Sequence, residues 1–516
     1  MNRHLKVFLG LLIVGGVIIA GLRLLLPYWN ESQQRSTSDA SATRGVLRIG
    51  VDNWIGYYPL CSPEMRRNLR SHGYTLQCID DAANYPERFD KLASGELDFA
   101  VATVDSWLLN GNKNAYPGVI ISVIDESKGG DAIIARAERI SDLNALTAHK
   151  GLKIAFTPAS PSEHLLKSIN AHFDLGLYGK GDKSWQSPSD GSPAALKQLL
   201  AGKVDAAVLW EPDVSRALAN GGMVKLVGTE DTDKLIVDIL IASRRQVSRD
   251  PDAAAALLEA WFETLDAYTV SRSSLIRDIQ KETDLGDEQI VTMLDGVAWA
   301  GLAENGTLWF DVLQQQAIGS DGLIEAIQAA DQVLVDNGDF DTSPVPGNDP
   351  YRLTSKQFIQ QLYQRAYPNG AAVSRESSLS GDFSTLTEQS WGQMRRVGTL
   401  KVEPISFRRG TGLLDLEGKR TIDQIVERLR RYPSFRILVE GHTGLAGDPQ
   451  QNLKLSLSRA EAVTRYLTVT YDIDPDRLRA IGYGSSKPLP KQPGESDRTY
   501  SYRLPRVEIS LLSGVR

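Results

Sequence analysis

One stretch of the sequence, residues 438–463, constrains the fold more than any other part of the chain. An apolar run at 436–440 is typical of a buried strand, and a glycine-rich loop follows it. After the loop, apolar side chains recur at the spacing of an amphipathic helix. The residues expected on the buried face of this helix are Leu453, Leu457, Ala460, Thr464 and Leu467. This order predicts a strand, a tight loop and a packed helix.

The same loop and helix carry a motif, because residues 441–463 read GHTGLAGDPQQNLKLSLSRAEAV. The spacing of its Gly-His-Thr, Asn, Leu-Ser, Arg-Ala and Val resembles the OmpA-like peptidoglycan-binding family. The resemblance extends over residues 398–512 and implies a C-terminal α/β sandwich with peptidoglycan as its partner. The residues expected at the peptidoglycan site are Thr443, Gly444, Asp448, Asn452 and Arg459.

Gly444 departs from the family pattern, which has an aspartate at this position. The resemblance implies that this aspartate binds the ammonium group of diaminopimelate, while Arg459 pairs with the carboxylate of the same zwitterion. Losing one charge partner in a desolvated site weakens binding strongly. Asp448 lies later in the same loop and is a candidate substitute. The alternative is a wall-type module that has lost its ligand.

Length and composition restrict the function classes. A chain of 516 residues is too long for one core, and its net charge of −7 argues against a nucleic-acid partner. The two cysteines, Cys61 and Cys78, are either a disulfide in an exported chain or two small buried residues. The six histidines show no ligand spacing, so no metal site and no cofactor are expected.

The N-terminus indicates a membrane anchor. Residues 7–26 form an apolar run that is long enough to cross a bilayer, and Arg3 and Lys6 precede it. This charge pattern predicts a cytoplasmic N-terminus at 1–6 and export of the chain that follows. We therefore expect a single-pass protein of the bacterial inner membrane, with most of the chain in the periplasm. The alternative is a cleaved signal peptide.

Composition shifts divide the rest of the chain. A polar segment at 27–44 is expected to be a flexible tether, and a segment at 367–397 with few apolar residues is expected to be a linker. Between them, residues 45–366 are expected to form a two-lobed solute-binding domain. Residues 398–516 are then the OmpA-like domain.

The fold class expected for residues 45–366 is α/β. Apolar strands alternate with helical segments, which predicts parallel sheets with a cleft at the strand ends. Five segments carry the pattern: LRIGVDNWIGYYPL at 47–60, GELDFAVATVDSW at 95–107, IDESKGGDAIIA at 124–135, AGKVDAAVLWEP at 201–212 and VDILIAS at 237–243. Their order resembles the periplasmic solute-binding proteins of ABC importers for taurine, nitrate, sulfonates and thiamine precursors. The resemblance implies two lobes that close about hinges near 126–131 and the return crossover.

Aromatic and acidic residues follow the ends of several of these strands, and such residues suit a small-molecule pocket. The candidate ligand-binding residues are Asp52, Trp54, Thr103, Asp105, Asp125, Asp131, Trp210, Glu211 and Asp238. Asp105 has an alternative role as a helix cap. Ser160 and Ser162 begin the first helix of the second lobe, where they are either ligand contacts or part of a capping box with Glu163.

The acidic character of this cleft predicts the class of solute. Several carboxylates would repel a bare anion such as nitrate, whereas an amine or a zwitterion would be attracted. We therefore expect an amine-bearing or zwitterionic solute.

Enzyme motifs are absent from the sequence. Gly176 and Gly181 have the spacing of a phosphate loop, but Asp182 and Lys183 follow in place of the required lysine and hydroxyl residue. There is also no G-x-S-x-G and no H-E-x-x-H segment. The chain is therefore expected to be a binding protein and not an enzyme.

Two functions agree with these features. The first is a membrane-anchored solute receptor that serves an ABC-type permease and is tethered to peptidoglycan. The second is a structural or sensory protein of the cell envelope with no transport role, whose partner is a membrane signalling protein. A gene for a permease or for a signalling protein, next to the gene for this chain, would distinguish the two functions.

Overall fold

The computed structural model describes residues 43–148, 151–178, 183–283, 285–313, 321–368 and 383–514. The anchor expected at 7–26 and most of the tether expected at 27–44 lie outside these ranges. Within these ranges, no helix has both the length and the apolar character needed to span a bilayer.

Strands form three separate sheets. In chain order they are β1 (Gly45–Val51), β2 (Tyr74–Asp80), β3 (Phe99–Thr103), β4 (Gly118–Ser127), β5 (Asp131–Arg136), β6 (Ile154–Phe156), β7 (Gln186–Pro188), β8 (Ala206–Trp210), β9 (Met223–Gly228), β10 (Val237–Ser243), β11 (Val297–Trp299), β12 (Arg395–Thr399), β13 (Arg436–His442), β14 (Leu478–Gly482) and β15 (Arg506–Ser513).

Helices cover these sheets. In chain order they are α1 (Tyr58–Cys61), α2 (Pro63–Ser71), α3 (Tyr85–Ser94), α4 (Val104–Gly111), α5 (Leu143–Ala148), α6 (Pro161–Phe173), α7 (Ser192–Leu200), α8 (Asp213–Ala219), α9 (Arg244–Arg249), α10 (Pro251–Val270), α11 (Arg272–Glu282), α12 (Asp287–Asp295), α13 (Leu302–Glu304), α14 (Gly322–Asp336), α15 (Gln357–Ala366), α16 (Glu388–Gln393), α17 (Leu416–Leu429), α18 (Pro449–Tyr471) and α19 (Asp497–Arg503).

The first lobe contains the sheet β11-β4-β10-β3-β1-β2. Strands β2 and β3 run parallel to β1, but β10 is antiparallel to both β3 and β4. The sheet is therefore mixed and not parallel as expected. The reason is that the chain leaves this lobe after β4 and returns in β10, which enters the sheet from the end at which β4 leaves.

The second lobe contains the sheet β7-β6-β8-β5-β9. Strands β7 and β8 run parallel to β6, whereas β5 is antiparallel to β8 and β9. Two strand connections, β4 to β5 and β9 to β10, join the lobes. The crossing at 126–131 and its return crossing therefore lie where the sequence placed the hinges.

Cys61 and Cys78 form a disulfide bond in the first lobe. Cys61 ends α1, and Cys78 lies in β2, so the bond ties the helical layer to the edge strand of the sheet. Of the two alternatives that the sequence left open, the structure has the bonded pair. Such bonds are typical of oxidising compartments.

The C-terminal domain contains the sheet β12-β15-β13-β14, with α17 and α18 packed on it. Strand β12 begins at Arg395, inside the range expected to be linker. Strand β12 pairs with β15 and is itself the edge strand of the sheet, opposite the other edge strand, β14. Polar residues around β12 conceal this strand in the sequence, because an edge strand buries few side chains.

The expected buried face of α18 is only partly correct. Leu453 and Leu457 are 49% and 38% exposed, and the buried residues are Ser456, Ala460, Val463 and Leu467. The physical reason is a close approach between helix and sheet. A Cβ atom added to Gly441 would lie 2.0 Å from the carbonyl oxygen of Ser456. The helix therefore lies so close to the sheet that only a small side chain fits at the turn of α18 that contains Ser456.

Candidate functional site

The two crossings between the lobes are tied together by one threonine. The Thr229 hydroxyl oxygen accepts hydrogen bonds from the backbone N–H groups of Gly129 (2.9 Å) and Asp131 (3.1 Å). The hydroxyl groups of Thr229 and Ser127 are 2.9 Å apart. Because Thr229 follows β9 and the other residues lie between β4 and β5, these bonds join the outgoing and the returning chain at the hinge.

Asp125 and Asp238 form the centre of the site on the first lobe. They lie opposite each other on β4 and β10, both are buried, and each influences the pKa of the other. Burial raises the pKa of Asp125 to about 7. Burial, and then the charge of Asp125, raises the pKa of Asp238 well above its usual range. Because two neighbouring buried carboxyl groups cannot both ionise at low cost, the pair holds a proton near neutral pH.

Two aromatic residues donate to this pair. The Trp54 indole Nε1 donates to Asp125 at 3.3 Å, and the Tyr57 hydroxyl donates to Asp238. The indole ring of Trp54 also lies against Gly130 of the hinge, since a Cβ atom there would be 2.3 Å from the ring. Trp54 therefore connects the first lobe, the carboxyl pair and the crossing to the second lobe.

Asp131 brings a third buried carboxyl group to the hinge. It lies opposite Trp210 in the register of β5 and β8 and accepts a hydrogen bond from the Ser127 hydroxyl at 2.7 Å. Burial raises the pKa of Asp131 to about 7, and the nearby charges of Asp105 and Glu211 contribute to the rise. Carboxylates from both lobes are thus close enough to influence one another.

Asp52 already has a cationic partner inside the protein. The guanidinium group of Arg88 lies 3.0 Å from Asp52 and also pairs with Asp81, and Arg88 is fully buried. The Tyr85 hydroxyl donates to Asp52 at 3.2 Å. Asp52 therefore contributes less net negative charge than the sequence suggested.

Thr103 and Asp105 lie where β3 passes into α4. The Thr103 hydroxyl donates to Ser106 at 2.9 Å, and Asp105 is buried in the first turn of the helix, one residue beyond its start. Asp105 is therefore not the residue that caps α4. Its charge acts instead across the lobes, on Asp131 and on His164 of α6.

Ser160 and Ser162 are bound to the backbone of their own lobe. The Ser160 hydroxyl donates to the carbonyl oxygen of Thr157 at 2.7 Å, and the Ser162 hydroxyl donates to that of Val208 at 3.3 Å. The expected capping box does not form, because Glu163 accepts a hydrogen bond from the N–H group of Ala159.

Two polar atoms near the start of α6 are buried without a hydrogen-bond partner among the described residues. They are Nδ1 of His164 and the hydroxyl oxygen of Thr157. Burial lowers the pKa of His164, so the imidazole is neutral at pH 7. Unsatisfied polar atoms are costly in a protein interior, and a bound polar ligand can supply the missing partners.

Trp210 and Glu211 lie at the end of β8. Trp210 is partly exposed, while Glu211 is buried and accepts two hydrogen bonds from Ser215. Glu211 borders a cavity of about 260 Å³ between the lobes. The cavity is lined by Glu211, Pro212 and Ser215 of the second lobe and by Glu288, Gln289 and Thr292 of α12.

The structure thus brings six of the expected residues into one electrostatic group: Asp52, Asp105, Asp125, Asp131, Glu211 and Asp238. The hydroxyl groups of Ser160 and Ser162 instead donate to backbone carbonyl groups of the second lobe. Sequence reasoning missed Tyr57, Tyr85, Arg88 and His164. One signal could have revealed Arg88, which lies on the apolar face of α3 with Tyr85, Phe89 and Leu92. Among the residues that the structure describes, no three of these side chains are arranged to hold a metal ion.

The C-terminal domain presents a half-buried arginine. The Arg459 guanidinium group lies over the Phe407 ring at 5.3 Å, and its Nε donates to the carbonyl oxygen of Thr411 at 3.3 Å. Burial lowers the pKa of Arg459. No carboxylate pairs with Arg459 in the salt bridges of the described ranges.

The loop before α18 holds the other expected peptidoglycan residues. Asp448 caps α18 by accepting from the N–H of Gln451 at 2.8 Å, and Asn452 donates to the carbonyl oxygen of Ala446. The Thr443 N–H donates to Gly484 at 2.8 Å. At Gly444 a Cβ atom would meet nothing closer than Pro505, 4.0 Å away, so a larger side chain fits there.

Comparisons with known proteins divide the chain in the same way. Residues 41–278 match the NMT1-like family, and residues 406–501 match the OmpA family. In the C-terminal part, the chain is 35% identical over 83 residues to outer membrane porin F of Pseudomonas aeruginosa. It is 32% identical over 85 residues to the peptidoglycan-associated lipoprotein of Brucella melitensis.

The first of these alignments covers 16% of this chain and 24% of porin F, and the second covers 16% of this chain and 50% of the lipoprotein. The chain therefore spans half or less of the length of these curated relatives. A solved structure, the alkanesulfonate-binding protein SsuA from Xanthomonas axonopodis pv. citri bound to MOPS, is similar with 19% identity and a TM-score of 0.44. That similarity covers 57% of this chain and 94% of SsuA. The chain therefore joins a two-lobed α/β domain that is similar to the NMT1-like family to a C-terminal domain that is similar to the OmpA family.

Proposed function

We propose that this chain is a solute receptor of the bacterial cell envelope, which binds a small amine-bearing or zwitterionic molecule between its lobes. The observation that carries the proposal is the buried group of carboxyls at the hinge, centred on the facing pair Asp125 and Asp238. The match to the NMT1-like family supports a binding role for this part of the chain.

The charge balance of the site favours a cation. Asp125, Asp131 and Asp238 are all buried, and burial together with the neighbouring carboxyl groups raises the pKa of each. An ammonium group placed among them would supply this charge and allow the carboxyl groups to ionise. A free anion would meet repulsion at the same position.

The start of α6 suits the negative end of a zwitterion. The unpartnered His164 Nδ1 and Thr157 hydroxyl lie there, next to the free N–H groups of the helix terminus. His164 is also near Asp105 of the first lobe. A solute with an ammonium and a carboxylate or sulfonate group can therefore contact both lobes.

Binding from both lobes implies closure about the hinge. Trp54 and Tyr57 contact the carboxyl pair from the first lobe, and Trp210 and Glu211 approach from the second. A ligand that touches both sets favours the closed arrangement by its differential affinity for the two states.

The OmpA domain supplies a second binding partner in this proposal, which is peptidoglycan. The Nε of the half-buried Arg459 donates to Thr411, which leaves the edge formed by its two Nη groups to take a carboxylate. With residues 7–26 as an inner-membrane anchor, the receptor would span the space between membrane and wall. Its membrane partner would be an ABC-type permease or a signalling protein.

A thermal-shift screen of the full chain in detergent tests the proposal. The panel should contain primary and quaternary amines, amino acids, aminosulfonates and inorganic anions. We expect stabilisation by amine-bearing compounds in the wild type and in Glu96→Gln, a control at an exposed acid of the first lobe. Stabilisation should disappear in Asp238→Asn. A response to nitrate or sulfate alone, or an unchanged response in Asp238→Asn, would show that the site takes a different ligand.

A further inference from the structure

The C-terminal domain is packed against the second lobe through an apolar seam. Gly398 of β12 lies against Phe173 and Leu143, since a Cβ atom there would be 2.6 Å from the Phe173 ring. The rings of Tyr432 and Phe173 are 5.4 Å apart, edge to face. Apolar residues of the second lobe and of the C-terminal domain form one continuous buried cluster.

Polar contacts fix the register of this seam. The amide group of Asn144 in α5 exchanges hydrogen bonds with Thr399, at 3.3 Å to its hydroxyl and 3.2 Å from its N–H. The Lys401 N–H donates to the carbonyl oxygen of His172 at 2.8 Å. The hydroxyl of Tyr432 lies 2.7 Å from Nδ1 of His172. These bonds make the second lobe and the C-terminal domain a single body.

Arg431, at the end of α17, extends from this body to the first lobe. Its Nη2 donates to the carbonyl oxygen of Glu325 at 3.3 Å, and its Nη1 donates to that of Asp233 at 3.4 Å. The carbonyl oxygen of Arg431 also accepts from the N–H of Asp233 at 3.0 Å. Glu325 belongs to α14, while Asp233 lies in the return crossing between β9 and β10.

The two carbonyl groups belong to different parts of the molecule, one to the first lobe and one to the return crossing. Helix α14 buries Leu323, Ile324 and Ile327 in the core of the first lobe. Asp233 lies in the crossing that must change conformation when the lobes separate. The residues just after α14 also contact the second lobe, because Lys167 pairs with Asp339 at 2.6 Å and Asn170 donates to Asn337 at 2.8 Å. Arg431 therefore adds a clamp from the C-terminal domain to an existing contact between the lobes.

We propose that the C-terminal domain restrains the opening of the solute cleft, with Arg431 as the clamp between the hinge crossing and the first lobe. A guanidinium group with its planar fork can hold two fixed carbonyl groups, but it must release at least one of them when they move apart. The free energy of lobe opening and the position of the wall-binding domain are then linked, and the linkage is reciprocal. Wall attachment would alter the affinity of the receptor for its solute.

The inference rests on the lobe closure in the proposed function, but its test needs no solute. The chain contains two cysteines, both in the disulfide, so engineered cysteines can be labelled selectively. Exposed sites are Lys113 on the first lobe, Lys197 on the second lobe and Glu461 on the C-terminal domain. Spin labels at 113 and 197 report the opening of the lobes, and labels at 197 and 461 report the seam.

Arg431→Ala should broaden the distance distribution between 113 and 197 towards longer distances in the unliganded full chain. The distribution between 197 and 461 should stay narrow. Arg430→Ala is the matched control, because Arg430 is the adjacent residue and its ion pair, with Glu427, stays within the C-terminal domain. In Arg431→Ala, hydrogen exchange of the Asp233 amide should rise roughly fivefold, because the guanidinium group no longer holds the carbonyl of Asp233 and the remaining backbone contact opens more often.

Two results would overturn the clamp. The first is a distribution between 113 and 197 that is the same in wild type, Arg431→Ala and Arg430→Ala, with unchanged exchange at Asp233. The second is a distribution between 197 and 461 that is broad in the wild type, which would mean that the seam does not hold. Neither result depends on solute binding, so a receptor that fails the thermal-shift screen can still pass this test.

Discussion

Asp125 and Asp238 lie opposite each other on neighbouring antiparallel strands, and both carboxyl groups are buried. Two carboxylates so close cannot both be ionised at low cost, so the pair retains a proton near neutral pH. The Trp54 indole donates to Asp125, and the Tyr57 hydroxyl donates to Asp238. An incoming ammonium group would therefore replace a proton.

Asp131 should make the stability of the unliganded protein depend on pH. Its folded pKa of about 7 lies above the ordinary value of 3.8, so the folded state binds more protons than the unfolded state between these limits. The contribution of Asp131 to stability is therefore lost as pH rises from about 4 to about 7. Asp131→Asn should gain stability relative to wild type over this interval, by up to about 4 kcal/mol. Urea denaturation at several pH values measures the difference in free energy of unfolding between Asp131→Asn and wild type. A difference that stays constant with pH would contradict a raised pKa for Asp131.

Arg88 should be a major contributor to the stability of the first lobe. Arg88→Met would leave Asp52 and Asp81 buried without a cation, and such a loss costs about 3–5 kcal/mol in the free energy of unfolding. Arg67→Met is a suitable control, since the Arg67 side chain is 60% exposed and forms its ion pair with Glu64, three residues away on the same helix. An exposed pair of this kind contributes about 1 kcal/mol or less. Equal losses in the two variants would rule out a special role for Arg88.

Much of the first lobe and of the acidic group was predictable from the sequence. The apolar runs in the segments at 47–60, 95–107 and 237–243 form the strands β1, β3 and β10. Short apolar runs with polar ends mark such elements clearly. The acidic residues could be found because they follow strand ends, and the ends of neighbouring strands meet at one edge.

The rest depends on contacts between distant segments. The antiparallel entry of β10 follows from the path through the second lobe, which local patterns do not contain. Arg431 meets Glu325 and Asp233 only after the C-terminal domain has docked on the second lobe. The buried face of α18 was misplaced because Gly441 lets the helix approach the sheet at Ser456 and not at a leucine. Tertiary packing overrides periodicity at such positions.

The disulfide should stabilise the first lobe. Cys61 and Cys78 are separated by 17 residues, and closing a loop of this size contributes about 3 kcal/mol by restricting the unfolded chain. The double substitution Cys61→Ala, Cys78→Ala should therefore lower the urea midpoint measurably. Under reducing conditions, the urea midpoint of the wild type should fall by the same amount. A midpoint that is unchanged in both cases would show that the bond does not form in solution.

Peptidoglycan binding should depend on Arg459 and should improve with an acid at 444. Arg459→Ala should release the full chain from purified peptidoglycan in a sedimentation assay, and Arg459→Lys should restore binding only partly, because lysine lacks the bidentate fork. Arg465→Ala, an exposed arginine of the same helix, should behave as wild type. Gly444→Asp should tighten binding, since the space near Pro505 admits the side chain. If neither wild type nor Gly444→Asp sediments, the C-terminal domain does not bind the wall.

Exchange of an ammonium group for the shared proton can be measured directly. Isothermal titration of the full chain with an amine-bearing compound from the screen, at pH 7 in two buffers of different ionisation enthalpy, gives the number of protons released on binding. We expect release of about one proton by the wild type, because the Asp125 and Asp238 pair holds one proton before binding and none afterwards. Asp238→Asn should bind weakly and release none. Tight binding whose heat is the same in both buffers would contradict a site built on this carboxyl pair.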